Sequence, residues 1–338
     1  MNNKNQFVAL LDRVTEEEKA KHDFQVLVKD LRMKDNCNLV SVQKMDSSNG
    51  SELSDFALTQ LFNHMEMPVK YMKKLKVERP ELVAEQFNYL VSRNSTLKND
   101  KEKKFLLRSI QTGDSDFTVR GVLSDRYTIL DNTQVLDSLV NVVNNLPDFK
   151  VESLVLNDKK MHIRLSFNDI YHNFGKSPEG KDDIVKVGLD IQNSEIGYSS
   201  LIVSPITYRL VCTNGLMAWK VEEGSIRRRH IHMTSTELQN MMEESMKQGI
   251  NNAKKLLDGM IQSTKVTLDN PFSFIEEQGK SIQMSKKQIE VVKSNYEIEP
   301  MKSMYGVVNA FTRTARDQKN HDVRLNIEKL AGNMLTLV

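Results

Sequence analysis

The strongest constraint on the fold is a change in hydrophobic period along the chain. From residue 54 to about residue 93, apolar residues recur three and four positions apart, as in amphipathic helices. Between residues 105 and 212, apolar and polar residues alternate, which is typical of half-buried strands. From Thr234, which forms a capping-box pattern with Glu237, the helical period returns. The sequence therefore predicts an α+β protein.

This pattern divides the chain into three predicted regions. We predict a largely helical N-terminal region at 1–104, a mostly antiparallel sheet core at 105–233, and a helical C-terminal region at 234–338. One helix, at 132–146, is inserted into the sheet core. No apolar run approaches the roughly 20 residues of a membrane span, and the first residues do not resemble a signal peptide. We therefore expect a cytoplasmic protein with no membrane partner.

The motifs of several enzyme classes are missing. The sequence contains no P-loop, no Gly-x-Gly-x-x-Gly fingerprint and no Gly-x-Ser-x-Gly elbow. We therefore expect no cofactor and no nucleotide-dependent enzyme. His230 and His232 are spaced so that a strand would point both the same way, but a metal site needs further ligands, which Cys212, His162 or a carboxylate would have to supply.

A metal-dependent nuclease is an alternative. Four aspartates occur around one predicted hairpin and its exit, and paired carboxylates can hold two metal ions. These residues are Asp114, Asp116, Asp125 and Asp131. Aspartate also favours turns and helix caps, so the cluster has an ordinary structural explanation.

Positive charge is concentrated in two blocks, although the net charge is only +2. Residues 70–108 carry 11 basic and 5 acidic side chains, a balance of +6. Residues 209–233 carry 5 basic and 2 acidic side chains, a balance of +3. The two blocks flank the predicted sheet. If folding brings them together, they form one cationic surface suited to nucleic acid; otherwise they are two solvated faces.

Basic and aromatic residues occur together on the predicted strands. A strand that alternates outward cations with inward apolar residues presents donors about 6–7 Å apart, which matches the phosphates of an extended single strand. A tyrosine ring can stack a base, which is worth about 1–3 kcal/mol. The phosphate-binding candidates are Lys103, Lys104, Arg108, Arg120, Arg126, Arg209, Arg227, Arg228 and Arg229. The stacking candidates are Tyr127 and Tyr208.

This hypothesis requires the dispersed cations to converge into one groove. Arginine and tyrosine on a half-exposed sheet face are also common without any ligand. Pairing of each guanidinium with an internal carboxylate would favour a protein-interaction module instead.

Four stretches resemble a known family: FALTQLFNHMEMPVKYMKKL, FLLRSI, FTVRGVLSDRYTILDN and SPITYRLVCTNGLMAW. They are similar to the "phage/plasmid-like protein" family, a domain of unknown function from bacteriophage, prophage and plasmid genomes. The resemblance spans roughly residues 54–233. It carries no established catalytic residues, and it implies a protein that acts inside a bacterial host. The order of the elements also resembles the core of single-strand annealing proteins of the RecT, Redβ and Erf type.

These observations lead to one hypothesis and two alternatives. We expect a phage-encoded, non-enzymatic protein that binds single-stranded DNA, promotes annealing or recombination, and forms homo-oligomers. The first alternative is a protein-interaction module with a phage or host partner, such as an anti-defence factor, a host-takeover protein or a virion component. The second alternative is the metal-dependent nuclease.

Overall fold

The structure is a computed structural model of the chain. It describes residues 3–41, 50–96, 103–113, 116–143, 148–176, 180, 182–209, 214–217, 226–228 and 235–335. Among these residues, no helix combines the length and the apolar character that a membrane crossing requires.

Helices and strands follow the predicted order. The helices are α1 Asn3–Lys19, α2 Asp55–His64, α3 Val69–Glu78, α4 Pro80–Thr96, α5 Asn132–Val143, α6 Ser235–Ser263, α7 Pro271–Ser281, α8 Lys286–Ile298, α9 Met304–Arg316 and α10 His321–Leu335. The strands are β1 Lys21–Leu27, β2 Leu31–Met33, β3 Leu39–Ser41, β4 Glu52–Leu53, β5 Lys104–Gln111, β6 Phe117–Ser124, β7 Phe149–Leu156, β8 Met161–Lys176, β9 Asp182–Asn193, β10 Leu201–Arg209, β11 Asn214–Met217 and β12 Ile226–Arg228. The α+β prediction is confirmed.

Local sequence signals set several helix ends. The Ser54 hydroxyl accepts a hydrogen bond from the backbone N–H of Ala57 at 3.1 Å, which caps α2. Pro68 and Pro80 stand at the starts of α3 and α4, where a missing backbone N–H costs no hydrogen bond. Ser285 begins α8 with a capping box.

The strands form two main sheets. The first has the order β1-β5-β6-β4, with β4 parallel to β6 and the other pairs antiparallel. The second has the order β11-β10-β9-β8-β7, and β12 also pairs with β10. Strands β2 and β3 form a separate pair.

Two large hydrophobic clusters correspond to these sheets. The N-terminal core packs α2, α3 and α4 against the first sheet, through residues such as Leu61, Phe62, Phe87, Leu107 and Val122. The C-terminal core packs the helices that follow the second sheet against it, together with α5 and part of α1. Strands β5 and β6 therefore share a core with the helices α2, α3 and α4.

The N-terminal region differs from its prediction. The region 1–104 contributes strands as well as helices, because β1 pairs with β5 along seven residues. In the second sheet, strand β8 runs to Lys176 and continues its pairing with β9 to that end.

Substitution of Gly188 tests the close approach of β9 to β8 in the second sheet. A Cβ at this position would lie 1.9 Å from the backbone carbonyl oxygen of Leu165 on the neighbouring strand. Because backbone atoms cannot move aside cheaply, we expect Gly188→Ala to reduce the free energy of unfolding by about 3 kcal/mol. Urea denaturation measures this change.

Gly113→Ala is the matched control, because the nearest atom to its Cβ would be an Asp116 side-chain oxygen at 3.5 Å, an ordinary contact. Equal unfolding free energies for the two variants would contradict the register of β8 and β9.

Candidate nucleic-acid interface

Arg108 lies inside the protein, where the two cores meet. Its side chain is 0% exposed. Its Nε donates to Asp23 Oδ1 at 3.0 Å, its Nη2 to Asp131 Oδ1 at 2.6 Å, and its Nη1 to the Glu195 carbonyl at 3.0 Å. Burial alone would lower the pKa of Arg108, but the Asp131 and Asp23 carboxylates outweigh burial and raise it. The prediction that Arg108 faces outward is wrong.

Two more cations join Arg108 in what we call the junction cluster. Its members are Glu18, Lys21, Asp23, Arg108, Arg120, Asp131 and Glu195. Arg120 Nη2 lies 3.4 Å from Glu195 Oε2, and the Arg120 side chain is only 13% exposed. Arg120 therefore also has an internal carboxylate partner, and its predicted outward position is wrong.

Three carboxylates of the junction cluster lie close enough to hold a metal ion. Oxygen atoms of Glu18, Asp131 and Glu195 are all within 4.8 Å of one another. The Lys21 ammonium lies among them, 2.6 Å from Glu18, 2.6 Å from Glu195 and 3.4 Å from Asp131. Lys21 therefore supplies the positive charge that these carboxylates need.

The three candidate nuclease aspartates that the structure describes do not come together. Asp131 belongs to the junction cluster, whereas Asp116 and Asp125 lie at opposite ends of β6. A strand of this length separates them by roughly 25–30 Å. Asp114 lies outside the described residues, as do His230, His232 and Cys212.

Arg209, at the end of β10, is a second buried cation. It binds Asp183 through Nε and Nη2 at 2.6 and 2.8 Å, and Glu299 through Nη1 and Nη2 at 2.9 and 2.7 Å. The hydroxyl of Tyr305 donates to the same Asp183 at 2.9 Å. The prediction of a phosphate-binding Arg209 on the surface is wrong, because its guanidinium is buried against Asp183, Glu299 and the ring of Tyr305.

Tyr208 points to the opposite face of β10 and is only 5% exposed. It forms a small cluster with Ile206 and with Leu325 of α10. Burial raises the pKa of Tyr208, and its hydroxyl has no hydrogen-bond partner among the described residues. The predicted base-stacking position of Tyr208 is therefore also wrong. Every residue of β10 is buried, so both sets of alternating residues on this strand are covered.

Four predicted residues lie at or near the surface, at one end of the first sheet. Lys104 and Arg126 are exposed, and Lys103 is half-buried. The ends of β5 and β6 that carry them are paired, since Phe105 lies opposite Ser124. Lys103 Nζ donates to the carbonyl of His64, the last residue of α2, at 3.4 Å.

Tyr127, the fourth of these residues, is half-buried, and its hydroxyl donates to the Ser194 carbonyl at 3.2 Å. Burial, which is the largest influence, raises the pKa of Tyr127. The ring therefore stays neutral and is held in place.

The arginine run 227–229 is only partly described. The backbones of Arg227 and Arg228 belong to β12 and pair with Ile202 and Leu201 of β10. Arg229 lies outside the described residues. Phosphate binding by this run stays a prediction.

The sequence indicated only that the region around α3 is basic. The structure shows that lysines of this region lie on the outward face of α3. The helix carries four lysines and one glutamate. Lys70 and Lys74 are exposed, and Tyr71 beside them is 56% exposed. Lys103 contacts the end of α2, five residues before α3 begins. We call Lys70, Tyr71, Lys73, Lys74, Lys76, Lys103 and Lys104 the basic surface.

Comparison with known proteins identifies a family without identifying an activity. The sequence profile of a family described as Domain of unknown function (DUF932) matches residues 119–330. No curated protein matches the chain, and no solved structure matches it.

The pH dependence of the stabilisation that Asp131 provides tests the account of the junction cluster. Burial alone would raise the pKa of Asp131, but Arg108 and Lys21 outweigh burial and hold it below 3.8. Its stabilisation is therefore complete above pH 3.8 and is lost as the pH falls through the lowered folded-state pKa. We expect Asp131→Asn to cost about 3 kcal/mol at pH 7 and progressively less below about pH 3.8, as measured by urea denaturation.

Asp137→Asn, at an exposed position on α5, is the control and should change stability by less than about 0.5 kcal/mol. A cost for Asp131→Asn that is below about 0.5 kcal/mol at pH 7, or does not change with pH, would contradict the account of the cluster.

Proposed function

We propose that this chain, which belongs to the DUF932 family, binds single-stranded nucleic acid through the basic surface around α2 and α3. The family match supplies no activity, so the proposal rests on the placement of charge. The proposed ligand is the one predicted from the sequence, but the residues that contact it lie mainly on the helices instead of the sheet.

The observation that carries the proposal is a contrast between two sets of cations. Arg108, Arg120 and Arg209 are all bound to internal carboxylates. Lys70, Lys76 and Lys104 form no ion pair within 4.0 Å with any described carboxylate. Charges without a protein counter-charge are the ones available to phosphates.

The remaining lysines of α3 have only weak partners. Lys74 lies 3.8 Å from Glu78, and both side chains are largely exposed. Lys73 lies 2.7 Å from Asp55, whose side chain is 83% exposed. Exposed ion pairs of this kind contribute little and are screened by salt, so a phosphate can displace the carboxylate.

The accessible aromatic residues favour a single strand over a duplex. Tyr71 on α3 and Tyr89 on α4 are 56% and 64% exposed. Lysines alone bind any phosphate backbone, whereas a tyrosine ring adds stacking only when bases are unpaired.

The finer parts of the proposal rest on the resemblance seen in the sequence. They are an origin in bacteriophage, action in the cytoplasm of a bacterial host, assembly into homo-oligomers, and promotion of annealing or recombination. Lys103, Lys104, Arg126, Tyr127 and the arginine run 227–229 remain candidate contacts in this proposal.

A protein-interaction module is the second candidate function. It is favoured by the internal pairing of Arg108, Arg120 and Arg209 and by Val77, which is 84% exposed directly after Lys76 of α3. An apolar residue within a basic face fits an acidic protein partner. A single stoichiometric protein that co-purifies after nuclease treatment would support this candidate.

Fluorescence anisotropy with a labelled single-stranded oligonucleotide tests the proposal. We expect tight binding at low salt and a steep loss of affinity as salt is added, because each neutralised phosphate contributes about 0.7 to the slope. Lys70→Gln combined with Lys74→Gln should weaken binding and reduce that slope by about 1.4.

Lys286→Gln combined with Lys287→Gln, on the exposed start of α8, is the control with the same change in charge. No binding by the unmodified protein at low salt would overturn the proposal. Equal losses in both double variants would show that the basic surface has no particular role.

A further inference from the structure

The loop between β9 and β10, residues 194–200, is fixed against the N-terminal core. Gln60 of α2 donates to the Ile196 carbonyl at 2.9 Å and accepts from the Val122 backbone N–H at 2.9 Å. Gly197 has a φ of +74°, and a Cβ there would lie 2.6 Å from a Leu123 side-chain atom. The loop therefore fits closely and holds its shape without help from exposed side chains.

This loop carries an exposed aromatic ring onto α2. Tyr198 is 40% exposed, and its ring centroid lies 5.4 Å from that of Phe56 at an angle of 67°. Its backbone N–H donates to the Ser194 hydroxyl at 3.0 Å, and that hydroxyl donates to the Lys159 carbonyl at 2.7 Å. Tyr198 and Lys159 are thus positioned by the same serine.

Two lysines are linked to this aromatic pair. Lys159 Nζ is 5.3 Å from the centroid of the Tyr198 ring. Asp55, which directly precedes Phe56 in α2, binds Lys73 Nζ of the basic surface at 2.7 Å. One lysine therefore contacts the pair directly, and the other is bound by the residue next to Phe56.

We propose that Tyr198 and Phe56 form a stacking site for an unpaired nucleobase, with Lys159 and Lys73 holding the phosphates on either side. This inference rests on the proposed function and identifies a contact that spans both cores. Tyr198 is 40% exposed, so part of its ring is accessible to a base. The ring would add a stacking position to the basic surface in addition to Tyr71.

Two probes separate stacking from electrostatic attraction. The first is a labelled oligothymidylate, which offers bases and phosphates, and the second is inorganic polyphosphate, which offers only charge. We expect Tyr198→Ala to lose about tenfold or more in affinity for the oligonucleotide and to keep its affinity for polyphosphate. Tyr198→Phe should retain binding of both, because it preserves the ring.

Tyr171→Ala is the matched control, because Tyr171 is 57% exposed on β8 and has no place in the proposed site. It should bind both probes like the unmodified protein. Retained polyphosphate binding also shows that Tyr198→Ala is folded.

The outcomes distinguish this site from the proposed function. If Tyr198→Ala binds oligothymidylate like the unmodified protein, or loses affinity equally for both probes, the stacking site is wrong and the basic surface still stands. If the unmodified protein does not bind oligothymidylate at low salt, both proposals are overturned.

Discussion

The rest of the structure depends on the ion pairs that Arg108 makes between the two cores. The guanidinium joins Asp23 of the first sheet to Asp131 and to the Glu195 carbonyl, which both follow the first sheet in the chain. Removing one partner from a buried pair of this kind commonly costs about 3–5 kcal/mol, because a charge is left without compensation. The junction cluster therefore holds Glu195, which lies in the β9–β10 loop, against Arg108 of the first sheet.

The same arrangement recurs at two other positions in the second sheet. Arg209 ties β10 to Asp183 and to Glu299 at the end of α8. Arg164 of β8 binds Asp190 of β9 and also Glu328 of α10. In each case, an arginine on a strand forms an ion pair with a glutamate that is distant in the sequence. These three buried arginines thus link separate segments of the fold, whereas Lys70, Lys74 and Lys104 are exposed.

The sequence predicted those helices and strands that are determined by residues close to one another in the chain. The helical period from residue 54 to about residue 93 indicated α2 to α4, and the alternation between residues 105 and 212 indicated the sheets. It did not predict β1, whose polar sequence becomes a strand only through pairing with β5, about 80 residues away. Nor did it predict that Arg108 is buried and paired, because its partners Asp23 and Glu195 are 85 and 87 positions away in the sequence. The apolar residues on both sides of Arg108 were the available signal of burial.

Mapping of a photochemical cross-link tests the central claim most directly. A single strand that contains 5-iodouracil would be irradiated in complex with the full chain, and the attached peptides identified by mass spectrometry. We expect cross-links at aromatic residues of the exposed surface, namely Phe56, Tyr71 and Tyr198. Cross-links confined to Tyr208 or to the helices α6–α10 would contradict the account, as would the absence of any cross-link in a complex that binds at low salt.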